Sequence, residues 1–346
     1  MVKSGYELRR GDVMGYLYIT DSSAKVSFEE NSFYVKKKDG ATTRVPAETL
    51  ESISFFGSPQ MTTQCMQQCM RRGVPVSFYS KGGQYFGRLL STGHVNVQRQ
   101  RKQCALLDTE FAIKFSQNII MAKIHNQTVL LERYGKGRGV DVHQVTQDMK
   151  ILARKVPGCT SIDQIMGYEG AAARNYFSML GQLVEKDFSF KKRSRRPPKD
   201  AFNSMLSLGY SMLMNEIYGK LENKGLNPYF GLMHQDREKH PTLASDLMEE
   251  WRAVIVDSVV MSLVNGREIK KDQFEYEIEG NGIFLNKDAM KTFIAKMEHR
   301  FEADNSYLRY IDYRTSFRRS IELQVESLIR AMQTDNADLY QPVRIR

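Results

Sequence analysis

The sequence has 346 residues, 41% hydrophobic and 26% charged, the balance of a globular chain long enough to organise two cores of unequal size. Four cysteines exclude a disulfide-built scaffold, and no apolar run reaches the ~20 residues of a membrane span. Lysine and arginine exceed aspartate and glutamate enough to leave a formal charge of +10, which favours a polyanionic partner.

In chain order, the polar opening MVKSGYELRRGD is no secretory signal, so an intracellular, cytoplasmic location is expected. The segments MGYLYIT, KVSFEE and SFYVKKK are short, partly alternating and rich in β-branched and aromatic residues, which predicts strands. Asp39-Gly40 marks a hairpin turn towards ATTRV. ESISFFG and VPVSFYS flank QMTTQCMQQCMRRG, whose glycine end fits a short helix, and SKGGQYFGRLL reads as a last hairpin. Cys65, Cys69, Cys104 and Cys159 lack the partners of a zinc site and are expected as reduced thiols.

From about Asn96 the pattern changes to long amphipathic segments, predicting helices over 96–134, 144–155, 169–186, 200–223, 243–265, 287–302 and 313–333. QFEYEIEGNGIFLN is the exception, a hairpin closed by Gly280-Asn281-Gly282. The expected fold class is therefore α+β: a β-rich N-terminal domain over residues 1–90 and a larger, mainly helical domain over 91–346. The linker is placed near 86–96, around Gly87 and Gly93.

Three basic clusters punctuate the chain. FSFKKRSRRPPK (188–199) has six basic residues and no acidic one; Arg99, Arg101 and Lys102 form a second cluster, and Arg314, Arg318 and Arg319 a third. Each reads either as solvated charge or as part of a phosphate-tracking surface, and their recurrence favours the surface.

Candidate chemistry gathers in GLNPYFGLMHQDREKHPTLASDLMEEWRAVIVDSVV. Gly225, Pro228 and Gly231 punctuate a loop that holds His234, and Pro241 announces a helix start. On that helix Asp246, Glu249 and Glu250 fall at i, i+3 and i+4 and share one side. They stand either in a solvated first turn favoured by the helix dipole, or buried in an apolar helix and paired with a cation. Glu169 lies in QIMGYEGAAARNYFSML, where glycines frame a helix start and three alanines permit close approach; a first-turn glutamate is the plainer alternative. Asp200 caps the next helix, whose Asn203 and Tyr210 are expected as buried hydrogen-bonding groups. No Walker loop, dinucleotide-binding glycine pattern or nucleophile elbow is present.

Taken in order, VPAETLESISFFGSPQMTTQCMQQCMRRGVPVSFYSKGGQYFGRLL, MGYEGAAARNYF, RSRRPP, NSMLSLGYSML, GLNPYFGLMH and LASDLMEEWRAVIVD resemble the CRISPR-associated endonuclease and integrase of spacer acquisition, the Cas one family, over nearly the whole chain. The resemblance implies a divalent-metal site, Mg2+ or Mn2+, at Glu169, His234 and Glu249. Relatives often carry aspartate at the last position, and Asp246, one turn earlier, is the alternative or supporting carboxylate. It implies a homodimer, assembled with the small second CRISPR-adaptation protein (Cas two), that inserts short DNA fragments into the CRISPR array, with the N-terminal domain facing the dimer mate or partner. His234 then acts as a ligand or as a hydrogen-bond partner of the transferring phosphate. Arg195 and Arg196 hold DNA backbone, and Tyr168 positions a strand end. Two other readings stay open: a stand-alone metal-dependent nuclease or junction resolvase in repair, and a basic DNA scaffold with a decayed site.

Overall fold

The computed structural model describes residues 15–195, 197–277 and 282–346, so the polar opening segment and the Gly280-Asn281 part of the predicted hairpin turn lie outside the described residues. Two compact units divide the chain, Met1–Val95 and Asn96–Arg346.

In the first unit, strand alternation buries one face of each short segment. Strands β1 (Gly15–Ile19), β5 (Leu50–Phe56) and β7 (Val76–Tyr79) pair in parallel, and β8 (Tyr85–Leu89) closes that sheet antiparallel to β7. A second sheet has the order β4 (Thr42–Pro46), β3 (Ser32–Lys36), β2 (Lys25–Glu29), β6 (Gln60–Met61). Glu30 and Asn31 both adopt left-handed φ values, 46° and 55°, the geometry a two-residue turn between twisted strands requires. Helix α1 (Thr63–Arg72) provides the connection from β6 to β7. It starts where the Thr62 hydroxyl accepts the Cys65 N–H and stops at left-handed Gly73. Cys65 and Cys69, one turn apart, face the core with Ile19, Val26, Phe33, Val35 and Ile53. Burying each such side chain stabilises the unit by about 1.5–3 kcal/mol. All four cysteines are free, Cys104 being exposed.

In the second unit, the segment expected as one helix over 96–134 is two. Helix α2 (Val97–Ala105) ends before Asp108, at φ 57°, and α3 (Glu110–Arg138) follows. The 29 residues of α3 span ~43 Å and bury side chains nearly all round, among them Phe115, Ile119, Ile120, Ile124 and Leu131. Around it pack α4 (His143–Lys155) and α5 (Ile162–Leu180). Helix α6 (Ala201–Asn223) follows, with Asp200 accepting the Asn203 N–H at 2.8 Å as its cap. The chain then runs through α7 (Thr242–Met248), a π-helical turn (Arg252–Asp257) and α8 (Ser258–Asn265). Strands β9 (Phe274–Glu277) and β10 (Gly282–Leu285) pair antiparallel, helix α9 (Lys287–Glu302) leads to the short pair β11 (Asp304–Asn305) and β12 (Thr315–Ser316), and α10 (Phe317–Gln333) follows.

The last segment is an integral part of this unit. Val343 and Ile345 are buried, and Asn126 of α3 grips the segment by donating to Val343 O at 2.9 Å and accepting from Ile345 N at 3.0 Å. The same side chain donates to Glu250 O at 2.9 Å, tying the segment to the helix after α7. Among the described residues no helix is long and apolar enough to cross a membrane.

Candidate active site

Thr242 and Asp246, four residues apart on α7, present one face to the loop before it. The Thr242 hydroxyl accepts the Gly231 N–H at 2.9 Å and donates to Tyr229 O. The Asp246 carboxylate accepts three successive backbone N–H groups, those of Leu232 (2.7 Å), Met233 (3.0 Å) and His234 (3.0 Å). Gly231 is needed for this approach, because a Cβ there would meet the Thr242 side chain at 2.7 Å and Asp246 at 3.1 Å. The loop thus delivers His234 in a fixed orientation, its Nδ1 2.6 Å from Asp246 Oδ1.

Glu249 follows at the end of α7. Its carboxylate meets Arg252 at 3.1 Å, Lys123 Nζ at 2.6 Å and His234 Nε2 at 3.8 Å. Lys123, on α3, also donates to Glu169 of α5, so one ammonium joins the two glutamates. Burial disfavours charge on Glu249, yet Arg252, Lys123 and His234 outweigh it and hold the carboxyl below the usual glutamate range. Burial also disfavours charged His234, but the Asp246 hydrogen bond and the charges of Asp246 and Glu249 prevail and raise its pKa above the ordinary imidazole value.

Behind these residues the π turn directs Asp257 into a buried network. The Tyr176 hydroxyl donates to its Oδ2 at 2.6 Å and the Tyr210 hydroxyl to its Oδ1 at 2.5 Å. Burial pushes Asp257 up to about 6 against both hydroxyls and Arg252. The Arg252 guanidinium lies 5.0 Å from the Tyr210 ring centroid and that of Arg193 5.4 Å, contacts that hold both cations.

The structure therefore brings Glu169, His234, Asp246 and Glu249 together and corrects how the sequence places them. Asp246, Glu249 and Glu250 are 0%, 3% and 0% exposed, so the solvated first turn is excluded for all three. Nor do they share a side: Glu250 points to Gln324 Nε2 (2.9 Å), Val343 N–H (2.5 Å) and the Tyr340 hydroxyl, and burial raises its pKa to about 7. Glu169 is in mid-helix rather than the first turn, because α5 begins at Ile162. The missed signal is Ser161-x-x-Gln164, where Ser161 accepts the Gln164 N–H and Gln164 accepts the Thr160 N–H at 2.9 Å. Lys123 and Arg252 were not singled out in the sequence; a lysine amid Ile119, Ile120, Ala122 and Ile124 was the available hint.

Tyr168 is half-buried beside Glu169, with the Lys155 ammonium 6.0 Å from its ring. Arg195 is exposed and near enough to Arg193 to repel it, while Arg196 lies outside the described residues. In the third basic cluster Arg314 and Arg319 are exposed, whereas Arg318 is buried and paired with Glu298 at 2.8 Å and Glu216 at 3.2 Å. In the second cluster Lys102 meets Asp335 at 2.6 Å.

Among the described residues no three His, Cys, Asp or Glu side chains converge as a ready metal cluster. The donor chemistry nevertheless fits a hard divalent ion. Two carboxylates already share one cation, and Glu249 Oε2, although 2.6 Å from Lys123 Nζ, is buried without a well-directed hydrogen bond. His234, with Nδ1 taken by Asp246, keeps Nε2 free for a ligand, the arrangement in which a second carboxylate orients a coordinating imidazole.

Comparison with known proteins places the chain in a family. Residues 17–299 match the family model described as CRISPR associated protein Cas1. A Mycobacterium tuberculosis protein called CRISPR-associated endonuclease Cas1 is 35% identical over 321 residues, 92% of this chain and 94% of its own length. Among solved structures, a Cas6-RT-Cas1–Cas2 complex superposes with a TM-score of 0.84 at 26% identity, covering 100% of this chain and 38% of the matched, longer polypeptide. A Cas1 protein from Thermotoga maritima shares the fold, with a TM-score of 0.78 at 23% identity over 92% of this chain and 97% of its own. The chain belongs to the Cas1 family of CRISPR-associated proteins.

Proposed function

We propose that this chain is an integrase and endonuclease of CRISPR adaptation that joins short DNA fragments into the repeat array. The reading is supported by relatives known as CRISPR-associated endonuclease Cas1, and by a solved Cas6-RT-Cas1–Cas2 complex in which one chain contains this fold. The single observation that carries the chemistry is the convergence of Glu169 and His234 on buried Glu249, the two glutamates joined through Lys123, in a chain of this family. The working unit is a homodimer bound to the small partner Cas2 and to DNA, in the cytoplasm.

Strand transfer is a transesterification. A fragment's 3′-oxygen forms a new bond to phosphorus while the phosphorus bond to the outgoing 3′-oxygen breaks, so the number of phosphodiesters is unchanged. When bound, Mg2+ or Mn2+ held by Glu169, Glu249 and His234 supplies a Lewis acid that makes the attacking hydroxyl more acidic and offsets charge on the phosphate oxygens. Asp246 keeps the imidazole oriented, so that His234 Nε2 either takes part in ligation or donates to the phosphate. Arg252, anchored by Glu249 and the Tyr210 ring, places fixed positive charge beside the reacting phosphate. Lys191, Lys192, Arg195 and Arg196 guide the DNA backbone, and Tyr168 stacks on a strand end. With water in place of the 3′-hydroxyl, the same groups hydrolyse the diester.

The test is to incubate the purified chain, with and without Cas2, with a 3′-hydroxyl duplex and a repeat-bearing plasmid. Joined product is expected, lost on chelation, restored by Mg2+ or Mn2+, and reduced to background by Glu169→Gln or Glu249→Gln. Cleavage without joining, with Cas2 present, would favour the stand-alone nuclease; unchanged activity in both variants would favour a scaffold.

A further inference from the structure

Lys123 carries the wrong charge for a metal ligand, yet it stands where an ion shared by the two glutamates would be. Its side chain is 7% exposed, with buried Ile119, Ile120, Ala122 and Ile124 as its helix neighbours. An ammonium so placed is costly unless paired, and its partners are Glu169 and Glu249 Oε2. Arg252 adds a second cation at Glu249 Oε1. Two carboxylates are thus already balanced by two cations, and a divalent ion cannot join the set without unbalancing it. The cations differ in mobility. Arg252 is held against Tyr210, whereas Lys123 ends a flexible four-carbon stem and holds the glutamates through its ammonium alone.

We propose that Lys123 is a resident counter-cation that occupies the position between Glu169 and Glu249 in the metal-free protein, and that the divalent ion enters by exchange with its ammonium. This rests on the metal reading of the site given above. Lys123 is a positioning residue in this role: it keeps two like-charged glutamates at ligand spacing while no ion is bound, and it sets the affinity with which an ion is taken up.

The experiment measures Mn2+ binding by the full chain, from the electron paramagnetic resonance of free Mn2+, together with thermal unfolding at zero and saturating Mn2+. Lys123→Met removes the competing charge and retains most of the volume. It is expected to tighten Mn2+ binding by about tenfold, to melt earlier than wild type without metal, and to recover most of that difference when saturated. Lys123→Arg, which keeps the charge, should bind Mn2+ as wild type does. Unchanged or weaker binding in Lys123→Met would overturn the exchange while leaving the metal site intact. Absence of saturable binding in wild type and variant alike would overturn the metal reading, and the exchange with it. Should Lys123→Met fail to fold, the wild-type protein still decides: an amine-reactive label should modify Lys123 several-fold faster with Mn2+ than without, and equal rates would refute the exchange.

Discussion

Asp257 shows how a single buried residue can leave a measurable trace. Its carboxyl is fully buried between two tyrosine hydroxyls, and burial lifts it from an ordinary 3.8 to about 6. The folded chain therefore binds this proton more tightly than the unfolded chain. The stability Asp257 contributes is complete below about pH 4 and is lost as pH rises through about 6, a swing of roughly 2–3 kcal/mol. Asp257→Asn keeps an acceptor for one hydroxyl and removes the charge. Its melting temperature should gain on that of wild type by several degrees between pH 4 and 7, as followed by thermal unfolding. Parallel curves would show that the network stays ionised throughout. Asp246 is satisfied differently, by three backbone N–H donors and the His234 ring.

At the scale of elements, Asn126 ties the final segment to α3 and to the residue after Glu249. Asn126→Ala would strand Glu250 O, Val343 O and Ile345 N in a buried place, and should cost about 2–4 kcal/mol in urea unfolding. A loss below 0.5 kcal/mol, roughly the level of a neutral surface change, would mean that the segment docks through its apolar residues alone. Elements were also where the sequence was most readable. Strands β1 to β5, α1 and the helices α4, α6, α9 and α10 follow from alternation, apolar period and caps such as Asp200. The start of α5 was obscured because Gly167 and Gly170 imitate a helix boundary, while the capping pair Ser161 and Gln164 lies further upstream. The site was less readable. Spacing grouped Glu250 with Asp246 and Glu249, but adjacent residues on a helix point about 100° apart, and Glu250 turns to Tyr340 instead. Nothing in the local pattern joins Lys123, 46 residues from Glu169 and on another helix, to the carboxylates; only the family resemblance gathered Glu169, His234 and Glu249.

For the whole molecule, the charge of +10 predicts duplex binding that weakens steeply with salt. Composition does not say which cations face the DNA; pairing does. Lys191, Lys192 and Arg195 are exposed, whereas Arg318 is buried against Glu216 and Glu298. Replacing the first three by alanine should reduce the log–log salt slope by about 2–3, close to one unit for each phosphate left without its cation. Arg318→Ala should leave the slope unchanged and lower the melting temperature. Fluorescence anisotropy over a salt series separates the two, and an equal fall in slope for both would reject this division of the charge.

The π turn at Arg252–Asp257 bears on inheritance as well as on packing. Such a turn holds one residue more than the α turn it replaces. A single-codon deletion there would let the stretch close as ordinary α-helix, one full turn standing in for another, so α7 and α8 would keep the faces they present. Glu249 would still face Lys123, and the change would fall on the turn itself, which holds Arg252 and Asp257. The same deletion within α7 has no bulge to absorb it and would turn the carboxylates away, so this helix tolerates a change of length at the π turn and not before it.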